Sequence, residues 1–493
     1  MKRRDFLKTS GLLAAQVIGN SMIVTPALLR RAEAATELPL ASLRGRLKSN
    51  EALVLIPSDP QFLKYQAACN LRTALKPQVR VVCASPQAVS TAIQWARANQ
   101  VPFATRSGGH SYEGFSQSTG LVIDTRLMKT INVSADRKSV QVGAGCALGE
   151  VYSALSAYNL AIPAGSCPTV GVAGHTLGGG YGLLSRAFGL ACDGVENFEM
   201  VDASGTILNL SETENTDLFW ACRGGGQGSF GIITQIRFRT HLVSNVNIFG
   251  LSWVLPVERA VKVMKAWQSW APNAPDWVTS LFHVTAIQSG MISLHCAGQS
   301  LASEGQIVAE LSRLESVDQM VRPVKITTLP FIKAIQYFGG GSAYPTMQMK
   351  GKSDYLFAPM SDQGILTLMN GLKSIPPGSV AALCDSYGGA INRIPNSATA
   401  FAHRENAQYS IQYYSEWRNA ADNASHLAHS RDLYTQMRPY VSGAAYVNYC
   451  DLDLRDWAEA YWGMNLPRLK MIKSVVDPTN FFKHAQSIPL PKG

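Results

Sequence analysis

The run "AGSCPTVGVAGHTLGGGYG", residues 164–182, holds seven glycines among 19 residues, and no other stretch constrains the fold as tightly. Glycine gives up more backbone freedom on ordering than any other residue, about 0.5–1 kcal/mol relative to alanine in a helix or strand, so this run cannot be a stable helix throughout. It also carries a thiol, Cys167, and an imidazole, His175. A second segment, "ATRSGGHSYEGFS" (104–116), frames His110 with Gly108, Gly109 and Gly114. Such glycines let the backbone approach a ligand closely, and consecutive small residues let several N–H groups converge on one anion. A pair of plain surface loops is the alternative. Two loops of the same character, each with a nucleophilic side chain, point instead to a ligand, and a dinucleotide pyrophosphate suits such a nest.

The chain has 493 residues, 46% of them hydrophobic, enough for two or three packed domains. Its first 35 residues differ in kind. Lys2, Arg3 and Arg4 precede a mildly apolar run that ends at Ala32-Glu33-Ala34, a small-x-small cleavage pattern. "RRDFLK" resembles the twin-arginine export signal, whose machinery carries folded proteins, often already loaded with a cofactor. The expectation is a periplasmic or extracellular protein. Gln16, Asn20 and Ser21 interrupt the apolar run, which argues against a membrane span and a lasting anchor after cleavage. Residues 1–34 contribute six basic against two acidic side chains, so the formal +10 falls to about +6 beyond them. No dense basic block with interleaved aromatics occurs, and nucleic-acid binding is not expected. The nine cysteines show no CxxC pair and no zinc-ligand spacing, so no metal site is expected. Cys69 with Cys83 is one conceivable disulfide.

Residues 79–240 read as a turn-rich α+β region. "RVVCAS", "GLVIDT", "KSVQVGAG" and "NFEMVDASGTILNL" have strand patterns, the last a hairpin turning at Asp202–Gly205, while "PQAVSTAIQWARANQ" and "LGEVYSALSAYN" repeat apolar residues at helical spacing. From residue 241 to 430, helices such as "VERAVKVMKAWQSW" and "EGQIVAELSRLESV" alternate with strands such as "SLFHVTAI" and "MISLHC". This predicts a second domain, an antiparallel sheet covered by helices on one face. Aromatic residues gather late in it, among them Tyr337, Phe338, Tyr344, Tyr414 and Trp417, mostly as core. "GQGSFG" (226–231) fits G-x-G-x-x-G, but a strand pattern follows it where a dinucleotide-binding turn would open a helix. Walker and GxSxG sequences are missing, and His110 and His175 lack companions at metal-ligand spacing.

Taken together, "RSGGHS" and "CPTVGVAGHTLGGGYG" resemble the flavin-binding domain of the vanillyl-alcohol-oxidase superfamily, and more closely the berberine-bridge-enzyme-like oxidoreductases. "DLFWACRGGGQGSFGIIT", "YVNYCD" (446–451) and "YWGMNLPRLKMIKSVVDPTNFFKHAQSIP" (461–489) agree. The resemblance spans nearly the whole chain beyond the leader. It implies an α+β fold with an FAD-binding domain in two parts, 36–240 and 431–493, flanking a substrate domain, 241–430. It implies FAD attached twice, through His110 to the 8α-methyl carbon and through Cys167 to ring carbon 6. Arg106, Ser107, Gly108, Gly109 and Ser111 would cradle the pyrophosphate with backbone N–H groups, with Tyr112 and His175 beside the ring and ribityl chain. Gly171, Gly174, Gly178, Gly228 and Ile233 would complete the cofactor site, and Asn448 would reach it from the C-terminal segment. Three departures stand out: Ala173 replaces the family's glycine, a change tolerated if φ there is negative, and Gln227 and Ser229 replace the commoner Gly and Asn.

The resemblance further implies hydride transfer from a hydroxyl-bearing carbon of a small molecule to flavin N5. The base would be Tyr446, or second Tyr449, and Gln412 would orient the substrate. A phenol titrates near pH 10, so a cation or hydrogen-bond donor must lower it. Ser410 and Gln412 stand where some relatives carry charge; a carboxylate is missing there, which favours alcohol or sugar oxidation over alkaloid ring closure. Val170 occupies the position where the family controls oxygen access, and its small size resembles the oxidases, in which O2 yields hydrogen peroxide. A dehydrogenase using a quinone or protein acceptor, and a carbohydrate- or flavin-binding protein without turnover, remain as alternatives.

Overall fold

The computed structural model describes residues 38–287, 289–340, 346–373 and 380–491. The export signal expected in residues 1–35 lies outside them, as do Tyr344 and part of the "YFGGGSAYP" turn. The chain divides into a leading unit, residues 1–45, and a unit of residues 46–493 that carries everything below. Among the described residues no helix is long and apolar enough to cross a membrane.

Three main sheets organise the larger unit. Val79–Cys83, Leu121–Asp124 and Phe103–Arg106 run parallel, with Ala52–Leu55 antiparallel at one edge. The helix Pro86–Ala98 packs Ala88, Val89, Ala92, Ile93 and Ala96 inward. Ser85 starts it by accepting the Ala88 N–H, and Pro86 supplies a first helical residue whose missing N–H costs nothing there. A five-stranded sheet follows in the order Ile131–Val133, Ser139–Gly143, Ile232–Arg239, Val195–Val201, Ile207–Leu210. The predicted hairpin is present, with Gly205 at φ +89° in its turn. The third sheet has seven antiparallel strands in the order Arg322–Pro330, Asn245–Leu255, Ile292–Ser300, Val278–Ala286, Val380–Ser386, Tyr409–Trp417, Gln348–Leu356. The mixed α+β architecture expected from sequence is the one observed.

The strand Asn245–Leu255 shows how the sheets share the interior. Successive side chains of a strand point to opposite faces. Val246 and Ile248 enter the core built on the five-stranded sheet, whereas Phe249, Leu251, Trp253 and Leu255 enter the core beneath the helices Val257–Trp270, Glu304–Glu315, Asp362–Leu372 and Asn423–Met437. The helix Phe331–Phe338, within the stretch expected to form the second domain, packs Phe331, Ala334 and Ile335 onto the first of these cores. The C-terminal segment is tied to the glycine-rich region by hydrogen bonds: Trp462 Nε1 donates to Gly224 O at 3.2 Å and Lys473 Nζ to Ser229 O at 2.6 Å, and His484 Nε2 meets Gln227 O at 2.9 Å.

All nine cysteines are free, so the conceivable Cys69–Cys83 bridge does not form. Cys83 lies inside a fully buried strand with its thiol on Val81 O, while Cys69 faces the cavity described next. "GQGSFG" is a loop between the helix Thr216–Cys222 and the strand Ile232–Arg239, with Gly226 and Gly228 at positive φ. Ala173 sits inside the helix Val172–Leu177, where φ is negative and a methyl group fits.

Candidate active site

The two glycine-rich loops meet backbone to backbone. A Cβ on Gly108 would come within 2.2 Å of Gly171 N, and a Cβ on Gly171 within 2.3 Å of Gly108 N. Only residues without side chains permit this approach. It carries His110 and Cys167, 57 positions apart in the sequence, to one cavity of about 650 Å³. Thr169 joins them: its hydroxyl lies 3.0 Å from His110 Nε2 and 3.7 Å from Cys167 Sγ. Burial, reinforced by the Arg106 guanidinium, lowers the His110 pKa to about 4, so the imidazole is neutral at pH 7.

Every residue expected at the site lines this cavity except Gly178 and Tyr446. Gly178 sits behind the wall, where a Cβ would lie 2.1 Å from Asn448 Oδ1. Its bareness makes room for Asn448, whose amide donates to His175 O at 3.0 Å and to the Tyr446 hydroxyl at 2.8 Å and accepts from Gln227 Nε2. Gln227, read from sequence as a departure from the family pattern, thus fastens the C-terminal segment to the glycine-rich helix. His175 Nε2 accepts the Gly165 N–H at 2.9 Å, and burial lowers its pKa to about 4, so this ring is neutral too. Ser107 and Ser111, both on the cavity wall, spend their hydroxyls within the protein, on Ala144 O and the Phe115 N–H.

The seven-stranded sheet forms another wall through Met349, Leu383, Gln412 and Tyr414, with Met347 just before its last strand. Gln412 Nε2 donates to the Tyr112 hydroxyl at 3.0 Å. The Tyr112 ring lies over Gly351, whose missing side chain leaves it space, and stacks on Tyr449 at 5.6 Å and 14°. Glu113, next along the chain, bonds Lys350 at 2.5 Å and Arg72 at 2.7 Å; Lys350 also holds Asp451 at 2.6 Å. This buried ion cluster, which sequence reading did not find, ties the loop of Tyr112 and the segment of Tyr449 to one strand.

The two tyrosines expected to act as base differ in place. The Tyr446 oxygen accepts the Gly180 and Tyr181 N–H groups at 3.0 and 3.3 Å as well as Asn448 Nδ2, one layer behind the cavity wall. Those donors favour a phenolate, yet burial outweighs them and pushes Tyr446 up to about 12. Tyr449 is on the wall, but burial, with the nearby Asp385 carboxylate, raises it well above its ordinary value. A carboxylate does stand on the next strand. Asp385 pairs in register with Ser410, whose hydroxyl donates to it at 3.4 Å, and burial raises its pKa to about 7. In Val380–Ser386 every second residue is buried under the helices, so Ala381, Leu383 and Asp385 share the other face, on which Leu383 reaches the cavity wall and Asp385 lies behind it.

The residues fit a dinucleotide cofactor. The loop contact leaves no room for side chains, and the cavity, lined by Arg106 and the loop Ser107–Ser111, is of cofactor size. Comparisons with known proteins agree. Residues 77–211 match the "FAD binding domain" family and residues 445–489 the "Berberine and berberine like" family. The FAD-linked oxidoreductase YgaK of Bacillus subtilis is 34% identical over 88% of this chain and 96% of its own. The monolignol oxidoreductase AtBBE-like 13 of Arabidopsis thaliana is 32% identical over 81% and 82%. Among solved structures, BBE-like 1 of Physcomitrella patens superposes with a TM-score of 0.85 at 32% identity, covering 92% of this chain and all of that one. Phl p 4, a grass pollen allergen with glucose dehydrogenase activity, superposes with 0.81 at 28% identity over 92% and 100%. The chain belongs to the berberine-bridge-enzyme-like family of FAD-linked oxidoreductases.

Proposed function

We propose that the protein is an oxidase of hydroxylated small molecules, a sugar or a phenolic alcohol, with its flavin attached through both His110 and Cys167. The meeting of these two side chains on Thr169 at one cavity carries the reading. The flavin supplies the hydride acceptor and passes electrons to O2. His110 is neutral and so has a lone pair with which to bond carbon. Half-buried Cys167 lies on the wall with it. Val170 on the same wall supports an oxidase. The relatives that act on a monolignol and on glucose support an alcohol substrate.

Gln412 and Tyr112, bonded to each other, orient the substrate hydroxyl from the sheet side. Tyr449 on the wall takes the hydroxyl proton, and Asp385 is the proton's destination. A pKa near 7 suits a general base, and with such a partner Tyr449 never has to persist as a free phenolate. Tyr446 supports Asn448 and His175 from behind. The sequence "RRDFLK" supports delivery by the twin-arginine route to the periplasm or beyond; retention in the cytoplasm by an Arg3→Lys/Arg4→Lys variant tests it.

Acid precipitation tests the attachment. A yellow pellet is expected from the parent chain and from each of His110→Ala and Cys167→Ala, and a colourless one from the double variant. A colourless parent pellet refutes covalent flavin. Reduction by substrate followed by exposure to oxygen tests the acceptor: reoxidation within seconds supports an oxidase, and reoxidation over hours a dehydrogenase.

A further inference from the structure

The strands "SLFHVTAI" and "MISLHC", legible in the sequence only as sheet, each carry a histidine, and the fold pairs them. His283 lies opposite His295, with ring centroids 6.4 Å apart. The pairing continues on both sides: Ser252 faces His295, Leu383 faces His283, and Gln412 faces Leu383. Residues directly opposite in an antiparallel pair share one face of the sheet. Ser252, His295, His283, Leu383 and Gln412 therefore form one row, on the side away from the helices that cover Phe282, Leu294 and Cys384. The Leu383–Gln412 end of the row is cavity wall.

The two rings are held differently. His295 Nδ1 meets the Ser252 hydroxyl at 2.9 Å. His283 is half-buried, and among the described residues neither of its ring nitrogens has a hydrogen-bond partner. The core histidines His403 and His426 do have one, Ala460 O at 2.8 Å and the Ser415 hydroxyl at 2.9 Å. Among the described residues no third histidine, cysteine or carboxylate joins the pair as a metal-ligand set would require. Burial, with His295 nearby, lowers the His283 pKa to about 4, so the ring is neutral at pH 7. A neutral imidazole offers one N–H donor and one acceptor nitrogen, the complement of a hydroxyl group. Adjacent strands lie about 4.8 Å apart, so two strand steps put His283 about 10 Å from Gln412, with Leu383 between them. We propose that His283, steadied by His295, binds a hydroxyl group at the far end of the substrate, about 10 Å beyond the carbinol that Gln412 orients. Leu383 fits the flat apolar ring of a hydroxyaryl alcohol better than a sugar ring, whose hydroxyls would lose water against it without gaining partners. The assignment rests on the alcohol-oxidation reading above and adds to it a substrate class and the residue that selects it.

Anaerobic reduction of the bound flavin by defined alcohols tests it. The holoenzyme and its His283→Phe and His283→Gln variants are mixed with cinnamyl alcohol and 4-hydroxycinnamyl alcohol, and separately with glucose and cellobiose. The limiting rate and the half-saturating concentration are read for each. The parent is expected to half-saturate with 4-hydroxycinnamyl alcohol at a concentration about three- to tenfold below that for cinnamyl alcohol, the range of one hydrogen bond between neutral groups. His283→Phe should erase that gap by weakening the hydroxylated alcohol alone, and the limiting rates should stay together. His283→Gln, which keeps a donor and an acceptor, should restore part of the gap. Should His283→Phe not fold, His283→Leu removes the same nitrogens with a smaller side chain. A His283-dependent gain confined to cellobiose over glucose supports the subsite and places a sugar over Leu383. No gap in the parent, a gap that survives in His283→Phe, or an equal loss on both members of a pair overturns the proposal and leaves the oxidase reading intact. Flavin that none of the four alcohols reduces overturns the proposal together with the reading on which it rests.

Discussion

The Asp385→Asn substitution separates a base from a bystander. The folded protein holds the Asp385 proton until about pH 7, against an ordinary carboxyl value of 3.8. Between those values the native state binds more protons than the unfolded chain, so stability falls as pH rises and stops falling above pH 7. The gap between 3.8 and about 7, at about 1.4 kcal/mol per pH unit, sets a ceiling of about 4 kcal/mol, and water reaching the partly exposed side chain reduces it to about 2. The amide introduced by Asp385→Asn would keep an acceptor for Ser410 and carry no charge. The stability difference, variant minus parent, should therefore climb between pH 4 and 7 and level off at about 2–4 kcal/mol in favour of the variant. Denaturant unfolding at several pH values measures it, and the difference cancels the titration of other groups. In turnover, the parent kcat/KM should rise through pH 7. The variant should lose that limb and about 10²–10⁴ of its rate, the range a positioned general base supplies. A difference curve flat in pH, or a variant that keeps the acid limb, refutes both the burial argument and the assignment of the proton.

Three further outcomes follow from the geometry. Gly108→Ala places a methyl group 2.2 Å from Gly171 N, where backbone rather than a yielding side chain must move; the loops should part and attached flavin, read from the acid pellet, should drop at least tenfold, whereas Gly174→Ala, with nothing within 4 Å, should retain it. Lys350→Met removes the cation that Glu113 and Asp451 share, leaving Arg72 on the one and Lys352 on the other, and should cost about 1–3 kcal/mol in denaturant unfolding; an unchanged stability contradicts the importance of the cluster. For His175, held near 4 against 6.5 by burial, the sign is opposite to that of Asp385. The native state resists protonation, so its stability is full above pH 6.5 and is lost as pH falls towards 4, by up to about 3 kcal/mol; a His175→Gln chain should lose less on acidification, and an equal loss refutes the point.

Much of this protein is legible in the chain because the decisive features are local. Strand alternation, the Ser85-Pro86 helix start and the glycine content of 104–116 and 164–182 depend on near neighbours, and they identify the α+β fold and the cofactor loops. What stays hidden depends on register and on which face of a strand meets which core. Asp385 reads as one polar residue in an alternating strand until pairing sets it opposite Ser410 and packing buries it. Lys350, Glu113 and Asp451 are separated by up to 338 positions and become one cluster only when three segments close on each other. Tyr446 and Tyr449 stand three residues apart in one motif, yet a short 3₁₀ turn sends one behind the wall and the other onto it. Composition and periodicity determine which elements form; desolvation, and with it every shifted pKa at this site, exists only once those elements have packed and excluded water.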